Sequence, residues 1–430
     1  MKIVESNGRS LVLTHSGELH GPFTLFINAE YSNPNTRASV TGGLRLLQVL
    51  LHSFSISLAH RAVEGRCLHP QEVGWLTNLA YRPLEEIEGM TPRILTRLVK
   101  TSGVAHSDRA GAVSRATASS RLLQVGLFLD WYCKKVLEPR IASSQACRDL
   151  AESYQAIVNE LKTKIKRKPK HPTQIRSLPA ERFKQLMKVA FCSPERLFDS
   201  GEGVCSTIKR DRAIFLLACE GLRPGAIGNL QVADFKGQYL QIMDNVGRRG
   251  EASTTGTPMQ KGARSERIEY HSEYTLTLWP WTQEAVRDYL RIERSDLLAR
   301  RVKNKSKGFL FLEVLGAGPI RNRKTLSLIF SKAGKKAKEN GLLARESGDV
   351  YVKSEDYDLV AYTLRHSAAT LFVKEKGSGD TAVSAMKARF GWSPSSNMPA
   401  LYARRADMDA AAFDIEDLWV EMRSEMLKLR

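Results

Sequence analysis

Residues 361–370 read AYTLRHSAAT, and residues 390–405 read FGWSPSSNMPALYARR. In the first stretch, Tyr362 and Arg365 are three positions apart, which at the start of a helix puts both side chains on one side. In the second stretch, a loop containing Ser and Pro leads to Tyr402, which is closely followed by two arginines. Any one tyrosine is usually a packing residue, so the importance of Tyr402 depends on what the rest of the chain brings to it.

A third segment, Gly221-Leu222-Arg223, follows the apolar run Ala213–Ala218. An arginine at a turn marked by glycine can project its guanidinium into a cleft, where it can bind two phosphate oxygens at once. Asp234 lies eleven positions after Arg223. Taken alone, the segment is a weak signal that an ordinary surface arginine explains better.

The composition favours a polyanionic partner. The 430 residues carry a formal net charge of +19, which is typical of proteins that bind nucleic acid or an anionic membrane surface. We find no apolar run long enough to span a bilayer and no signal-peptide pattern, so nucleic acid is favoured over a membrane. The six cysteines include no Cys-x-x-Cys pair, which favours reduced thiols in a cytoplasmic, bacterial protein over zinc ligation or disulfides.

The hydrophobic pattern predicts a chain of several parts that is mainly α with a small antiparallel sheet. Short β-like runs are expected at Arg9–Thr14 and Pro22–Asn28. A helix is expected over Ser120–Leu137, with Leu123, Leu127 and Trp131 on one face. The predicted parts are an N-terminal extension with short strands (1–39), a helical domain (40–161), a basic linker (162–177), a larger domain (178–408) and a C-terminal helix (409–430).

The larger domain is expected to hold several helices and a hairpin. The predicted strands are Tyr239–Met243 and Glu266–Tyr270, with an enlarged hairpin region between Asp244 and Glu266. The predicted helices are Arg182–Phe191, Lys209–Glu220, Thr282–Lys303, Lys324–Asn340, Leu364–Lys374 and Thr381–Phe390. The basic linker is either a plain solvated connector or a segment that lies along phosphates.

The order of the three segments resembles the tyrosine recombinase (phage integrase) family. The family has an arginine in a Gly-Leu-Arg turn with an Asp eleven residues later, then a His-x-x-Arg-His box, and finally Gly-His or Gly-Trp with a tyrosine nine or ten residues later. The resemblance covers roughly residues 178–410. The matching residues are Arg223, Asp234, Arg365, His366, Thr370, Gly391, Trp392 and Tyr402.

The resemblance implies a site-specific DNA recombinase that integrates or excises a mobile element. Its fold would be a two-domain DNA clamp, with a helical core-binding domain at 40–161 and a catalytic domain at 178–408. Tyr402 would attack a backbone phosphate, forming a 3′-phosphotyrosyl link and releasing a 5′-hydroxyl. Arg223 and Arg365 would neutralise charge on the non-bridging oxygens.

The remaining catalytic assignments are more open. Lys261, in the hairpin region, would protonate the leaving oxygen; the alternatives as phosphate contacts there are Arg248, Arg249 and Arg264. Trp392 would either offer its indole N–H to the phosphate or pack behind Tyr402. No metal or cofactor is expected, because the covalent intermediate stores the phosphodiester.

Two departures from the family pattern affect the proposed chemistry. Tyr362 stands where the family usually has histidine or lysine. A phenol with a pKa near 10 is a poor general base at neutral pH, although it can donate a hydrogen bond to phosphate. The proton acceptor therefore stays open. Ala226 replaces a frequent glutamate, which removes one supporting contact.

The expected partners are double-stranded DNA, three further copies of the chain in a synaptic tetramer, and accessory DNA-bending proteins; no membrane is expected. The apolar face of the C-terminal helix would dock either on its own domain or on a neighbouring subunit. The alternatives are a type IB topoisomerase-like nicking and closing enzyme, a catalytically inactive DNA-binding protein on the same fold, and a basic RNA-binding or membrane-surface protein. That last class leaves the order of the three segments unexplained.

Overall fold

The computed structural model describes the greater part of the chain, in ranges separated by gaps. The described ranges are residues 1–6, 9–14, 16–101, 112–164, 176–199, 206–242, 256–258, 274–300, 305–349, 351–352, 354–393, 395–402 and 404–410. They are mainly helical and include two antiparallel sheets of two strands each, which confirms the predicted fold class at this level. The chain divides into two compact units near residue 173.

The first unit is a helical body with one hairpin. Strand β1 (Lys2–Ser6) pairs antiparallel with β2 (Arg9–Leu13), with Val4 opposite Leu11. A π-helical turn at Cys133–Leu137 directly continues the helix that ends at Tyr132. The helices are α1 (Gly21–Glu30), α2 (Pro34–Ser53), α3 (Leu58–Val63), α4 (Pro70–Ala80), α5 (Leu84–Glu88), α6 (Pro92–Thr101), α7 (Arg115–Tyr132) and α8 (Ser144–Lys164).

The strand predicted at Pro22–Asn28 is wrong, because this segment forms helix α1. Proline is well suited to the first turn of a helix, where its missing N–H has no intrahelical partner. The His20 side chain caps the helix by accepting a hydrogen bond from the Phe23 backbone N–H. Phe23, Phe26 and Ile27 are buried in the core of the first unit, and their spacing of three and four is that of a helical face.

The helix predicted over Ser120–Leu137 is present as α7 and its π-turn, but the face that carries Leu123 and Leu127 is not the one that meets the core. Leu123 and Leu127 are 38% and 42% exposed. The buried face instead carries Leu122, Val125 and Leu129. Apolar residues occur on both sides of this helix, so their period alone does not tell which side meets the core.

The second unit carries the three sequence segments discussed above. Strand β3 (Tyr239–Ile242) pairs antiparallel with β4 (Tyr274–Thr277). The predicted strand Glu266–Tyr270 and the hairpin region with Lys261 lie outside the described residues. The helices are α9 (Ala180–Cys192), α10 (Ile208–Cys219), α11 (Pro224–Ile227), α12 (Pro280–Tyr289), α13 (Ser295–Ala299), α14 (Arg323–Glu339), α15 (Ala361–Lys376) and α16 (Asp380–Phe390).

Helices α10 and α15 form the centre of the second unit. All residues from Ala213 to Cys219 are buried, and so are all from Thr363 to Leu371. The small residues Ser367, Ala368 and Ala369 let α15 approach α10 and α9 closely. A helix that is buried all round has a fixed position in its unit. The turn after α10 and the start of α15 are therefore held rigidly with respect to each other.

No helix among the described residues combines the length and apolar character that crossing a bilayer would require.

Candidate active site

Arg365 lies in the first turns of α15 and is almost completely buried, with 1% of its surface exposed. Its Nη1 donates a hydrogen bond to the carbonyl oxygen of Gly221, and its Nη2 donates one of 2.8 Å to the carbonyl oxygen of Phe390. One guanidinium thereby connects the turn after α10 to the end of α16. These are two of the three segments that the sequence singled out.

Arg223 is half-buried and occupies the N-cap position of α11 in an extended conformation. It follows Gly221, whose φ of +95° lies in the left-handed region that favours glycine. Burial lowers the pKa of Arg365 to about 10, and the charge of Arg223 acts in the same direction. The two arginines are therefore close enough to repel each other, and an anion between them would relieve that repulsion.

Tyr402 lies in a helical stretch covering residues 398–402 and 404–410 and is 1% exposed. Its hydroxyl donates a hydrogen bond of 2.5 Å to the hydroxyl of Tyr362. The Arg365 guanidinium carbon lies 5.7 Å from the centre of the Tyr402 ring. Burial raises the pKa of Tyr402 to about 12, and the hydrogen bond to Tyr362 acts in the same direction. The phenol is thus uncharged at neutral pH, and it needs a route for its proton if it is to react.

Trp392 packs among the same side chains. Its ring stacks on Phe390 with 5.0 Å between centroids and lies 5.0 Å from the ring of Tyr402. Within the described residues, neither the Trp392 indole N–H nor the Nε of Arg365 has a hydrogen-bond acceptor, although both atoms are buried. Buried donors without a partner are uncommon in folded proteins and are worth explaining individually. The centre therefore holds two donors that suit an anionic acceptor.

His366 contacts both tyrosines. It stacks on Tyr402 with 4.0 Å between centroids and 13° between planes, and it meets Tyr362 edge to face at 4.8 Å. Burial lowers the pKa of His366 to about 4, with Arg176 and Arg365 adding to the effect. The imidazole is therefore neutral at pH 7. Face-to-face stacking keeps its ring nitrogens out of line with the Tyr402 hydroxyl.

A buried ion pair braces the two segments that Arg365 connects. Glu220 precedes Gly221, and Arg389 precedes Phe390; Arg389 Nη2 donates to Glu220 Oε2. Glu220 Oε1 also accepts a hydrogen bond of 2.7 Å from the backbone N–H of Trp279. Burial raises the pKa of Glu220 to about 7, against the opposing influence of Arg389. The Glu220–Arg389 pair thus lies directly beside the carbonyls that hold Arg365.

A second buried ion pair fixes the segment that carries Tyr402. Arg405 Nη2 donates to the carboxylate of Asp349, which also accepts a hydrogen bond of 2.7 Å from the hydroxyl of Tyr357. Arg405 Nη1 donates to the carbonyl oxygen of Ser177 at 2.8 Å. Through these bonds the helical stretch containing Tyr402 is tied to two other parts of its own unit.

The structure brings Arg223, Arg365, Trp392, Tyr362 and Tyr402 into one cluster, whereas Lys261 lies outside the described residues. Asp234 is buried and accepts a hydrogen bond from the backbone N–H of Gln231, so it stabilises the turn that follows α11. Ala226 is buried in α11 itself.

Sequence reasoning assigns no role to His366 and does not single out Glu220, Arg389, Asp349 or Arg176. Their contacts join positions far apart in the chain, which no local spacing reveals. Of the residues that support the cluster, only Arg405 could be found from local sequence, because it lies three positions after Tyr402.

The cluster has the features of an anion-binding centre around a phenol. The Arg365 guanidinium and the Trp392 ring pack against the Tyr402 ring, and the charge of Arg223 also acts on Tyr402. Charge-assisted donors such as guanidinium groups bind phosphate oxygens strongly. In the part of the chain that the structure describes, no three His, Cys, Asp or Glu side chains are placed to hold a metal ion.

Comparison with known proteins adds little to this geometry. No family model matches the chain, and no curated protein matches it either. Among solved structures, a lambda integrase tetramer bound to a Holliday junction matches with 13% sequence identity and a TM-score of 0.31. The match covers 93% of this chain and 94% of that chain. A TM-score this low does not establish a common fold.

Proposed function

We propose that this protein is a tyrosine recombinase that cuts and rejoins DNA, with Tyr402 as the nucleophile. The observation that carries the proposal is the surroundings of Tyr402: a buried hydroxyl beside Arg365, with two N–H donors, at Arg365 and Trp392, that have no acceptor among the residues the structure describes. A scissile phosphate would supply the missing acceptors and relieve the repulsion between Arg223 and Arg365. The order of the sequence segments and the net charge of +19 support the same conclusion.

In the proposed reaction, the Tyr402 oxygen attacks phosphorus and the bond from phosphorus to the 5′ oxygen breaks. The products are a 3′-phosphotyrosyl link and a free 5′-hydroxyl. Arg223, Arg365 and Trp392 stabilise the charge that builds on the non-bridging oxygens, where loss of one preorganised donor typically costs ~3–4 kcal/mol. Lys261 is proposed as the group that protonates the leaving oxygen. Religation reverses the steps without an external energy source.

Tyr362 offers a route for the Tyr402 proton. It accepts the hydrogen bond from Tyr402 and is 38% exposed, whereas Tyr402 is 1% exposed. As the Tyr402 proton moves to the Tyr362 oxygen, the proton of Tyr362 can pass to water or to a DNA oxygen. No charge then accumulates on either phenol before the attack. Tyr362 would thus replace a histidine or lysine as a relay rather than as a base.

The buried position of Tyr402 also has a consequence for DNA binding. A phosphate cannot reach a hydroxyl whose residue is 1% exposed, so the stretch carrying Tyr402 must shift when DNA binds. The relevant contacts of apo enzymes often tighten only in the complex with substrate. We therefore propose that the packed arrangement is the resting state.

Trapping of the covalent intermediate tests the proposal. A pool of labelled duplexes of varied sequence, each with a nick that lets the 5′-hydroxyl fragment diffuse away, is incubated with the protein and run on a denaturing gel. We expect a protein–DNA adduct from the unchanged protein and from Tyr239→Phe, a control at an exposed tyrosine of β3. Tyr402→Phe should give none, and an adduct that persists in this variant would contradict the assignment.

The oligomeric state and the choice between recombination and relaxation belong to the same proposal. In a tetrameric recombinase, removal of residues 410–430 should abolish pairing of two sites while sparing binding to one site. A type IB topoisomerase-like enzyme would instead relax supercoiled plasmid as a monomer. An inactive DNA-binding protein would bind DNA in a salt-dependent way and form no adduct.

A further inference from the structure

The segment Arg176–Leu178 is held against the proposed active site by two buried hydrogen bonds. The carbonyl oxygen of Ser177 accepts a bond of 2.8 Å from Arg405, three positions after Tyr402. The backbone N–H of Leu178 donates a bond of 2.9 Å to the Oγ of Ser367, two positions after Arg365. This short segment is thus fixed both to the helix of Arg365 and to the stretch that carries Tyr402.

Arg176 is the exposed first residue of this segment. Its guanidinium carbon lies 5.8 Å from the centre of the Tyr362 ring, within the range of a cation–π contact. After burial, its positive charge is the largest influence that lowers the pKa of His366. Arg176 therefore faces the same cluster as the two tyrosines. Among the described residues, its guanidinium forms no ion pair.

The chemistry of the cluster gives this cation a role. Tyr362 is an uncharged phenol at the edge of the site, and its hydroxyl lies 2.5 Å from that of Tyr402. A guanidinium placed over Tyr362 can reach an anion bound at Tyr402 and present two parallel N–H groups to it, which suits phosphate. The aromatic contact steers the side chain but leaves its N–H donors available.

We propose that Arg176 binds a non-bridging oxygen of the scissile phosphate, as a third arginine of the active site beside Arg223 and Arg365. The inference rests on the proposed function. In the proposed reaction, Arg176 forms no covalent bond and transfers no proton; it stabilises the negative charge that develops on phosphorus oxygens during the attack by Tyr402. It supplies at the edge of the site the positive charge that Tyr362 lacks.

Single-turnover cleavage of the nicked duplexes tests this role. Arg176 is exposed, so its replacement should leave the fold intact. We expect Arg176→Ala to slow adduct formation by about 10- to 100-fold, less than the roughly 100- to 1000-fold typical for loss of a preorganised donor, because Arg176 lies at the exposed edge of the site. Arg176→Lys should recover part of the rate, because it keeps the charge without the paired donors. The matched control is Lys188→Ala, which removes an exposed cation from α9.

A second measurement separates contact with the phosphate from a structural effect. A neutral methylphosphonate at the scissile position removes the charge that Arg176 would stabilise. The penalty of Arg176→Ala should then largely disappear, whereas equal penalties on both substrates would overturn the inference. Cleavage by Arg176→Ala at the rate of the unchanged protein would also overturn it, while leaving the proposed function intact. If the unchanged protein forms no adduct, the proposed function fails and the inference fails with it.

Discussion

The hydroxyl of Tyr402 donates a hydrogen bond of 2.5 Å to the hydroxyl of Tyr362, forty positions earlier in the chain. Tyr402 is buried and Tyr362 is partly exposed, so the bond points from the interior of the site towards solvent. This direction suits a nucleophile that must lose a proton. In the proposed complex with DNA, after the stretch carrying Tyr402 has shifted, both phenols would face the same phosphate.

The first prediction concerns the relay through Tyr362. Tyr362→Phe removes the acceptor, and since one hydrogen bond contributes about 0.5–1.5 kcal/mol, adduct formation should slow by roughly 2- to 10-fold. Tyr362→His replaces the relay with a base whose ordinary pKa is about 6.5 and should speed the reaction at neutral pH. Single-turnover kinetics at pH 7.5 measure both. Unchanged rates in both variants would remove Tyr362 from the mechanism.

The second prediction concerns the pH dependence of cleavage. Because burial raises the pKa of Tyr402 to about 12, the phenol keeps its proton throughout the neutral range. The relay through Tyr362 passes that proton to solvent during the attack, and hydroxide in the solvent becomes a more abundant acceptor as pH rises. The rate of adduct formation should therefore climb between pH 6 and pH 9 without reaching a plateau. His366, whose pKa is lowered to about 4 by burial, is neutral over the whole interval and should give no inflection. A step near pH 6.5 that disappears in His366→Gln would instead identify His366 as the proton acceptor.

The third prediction concerns the Glu220–Arg389 ion pair. Burial raises the folded-state pKa of Glu220 to about 7 from an ordinary value of 4.5. Between pH 4.5 and 7, Glu220 therefore keeps its proton in the folded protein, whereas the same carboxyl in the unfolded chain has lost it. Stability therefore decreases as pH rises through this window, and a shift of this size corresponds to roughly 3 kcal/mol.

Glu220→Gln cannot ionise, so it should lose this pH dependence. The free energy of unfolding should be measured by equilibrium urea unfolding at pH 5 and at pH 8. Between these two pH values it should fall less for Glu220→Gln than for the unchanged protein. Glu284→Gln, at an exposed glutamate of α12, is the matched control. A constant difference between variant and unchanged protein at the two pH values would contradict the buried, titrating state of Glu220.

The fourth prediction concerns the tight approach at Gly221. A Cβ there would lie 2.2 Å from Cε1 of Phe390, and φ is +95°. Gly221→Ala therefore combines backbone strain of about 1–3 kcal/mol with overpacking of about 1–3 kcal/mol. Gly237→Ala has a similar φ of +79° but meets only a side-chain nitrogen at 3.8 Å. Urea unfolding should show a larger loss for Gly221→Ala, and equal losses would argue against the close contact with Phe390.

Much of the second unit could be predicted from local sequence. Helices α9, α14, α15 and α16 begin and end within about three residues of their predicted limits, because hydrophobic period and cap residues are local signals. The predicted strand β3 is also present. Gly221 alone predicts the turn at that position, because the backbone there has a positive φ, which glycine adopts more easily than other residues.

Other features depend on contacts that local sequence does not encode. The apolar and small polar residues of Pro22–Asn28 fit the period of a strand as well as that of a helix, and the His20 cap that favours helix α1 lies outside this run. The packing face of α7 depends on which neighbours it meets. Arg405 contacts Ser177, 228 positions away, and Leu178 contacts Ser367, 189 positions away; these two bonds hold the segment from which Arg176 meets Tyr362. Most of the hydrogen bonds and ion pairs described around the candidate site join residues that are far apart in the chain.

The most direct test of the central claim is to identify the residue that becomes linked to DNA. After nuclease digestion of the trapped adduct, trypsin should release residues 390–404, in which Tyr402 is the only tyrosine. The peptide covering residues 354–365 holds Tyr362 and Tyr357 and serves as the internal comparison. Fragmentation by mass spectrometry should place the nucleotide on Tyr402. A nucleotide on Tyr362, or on any residue outside 390–404, would contradict the account.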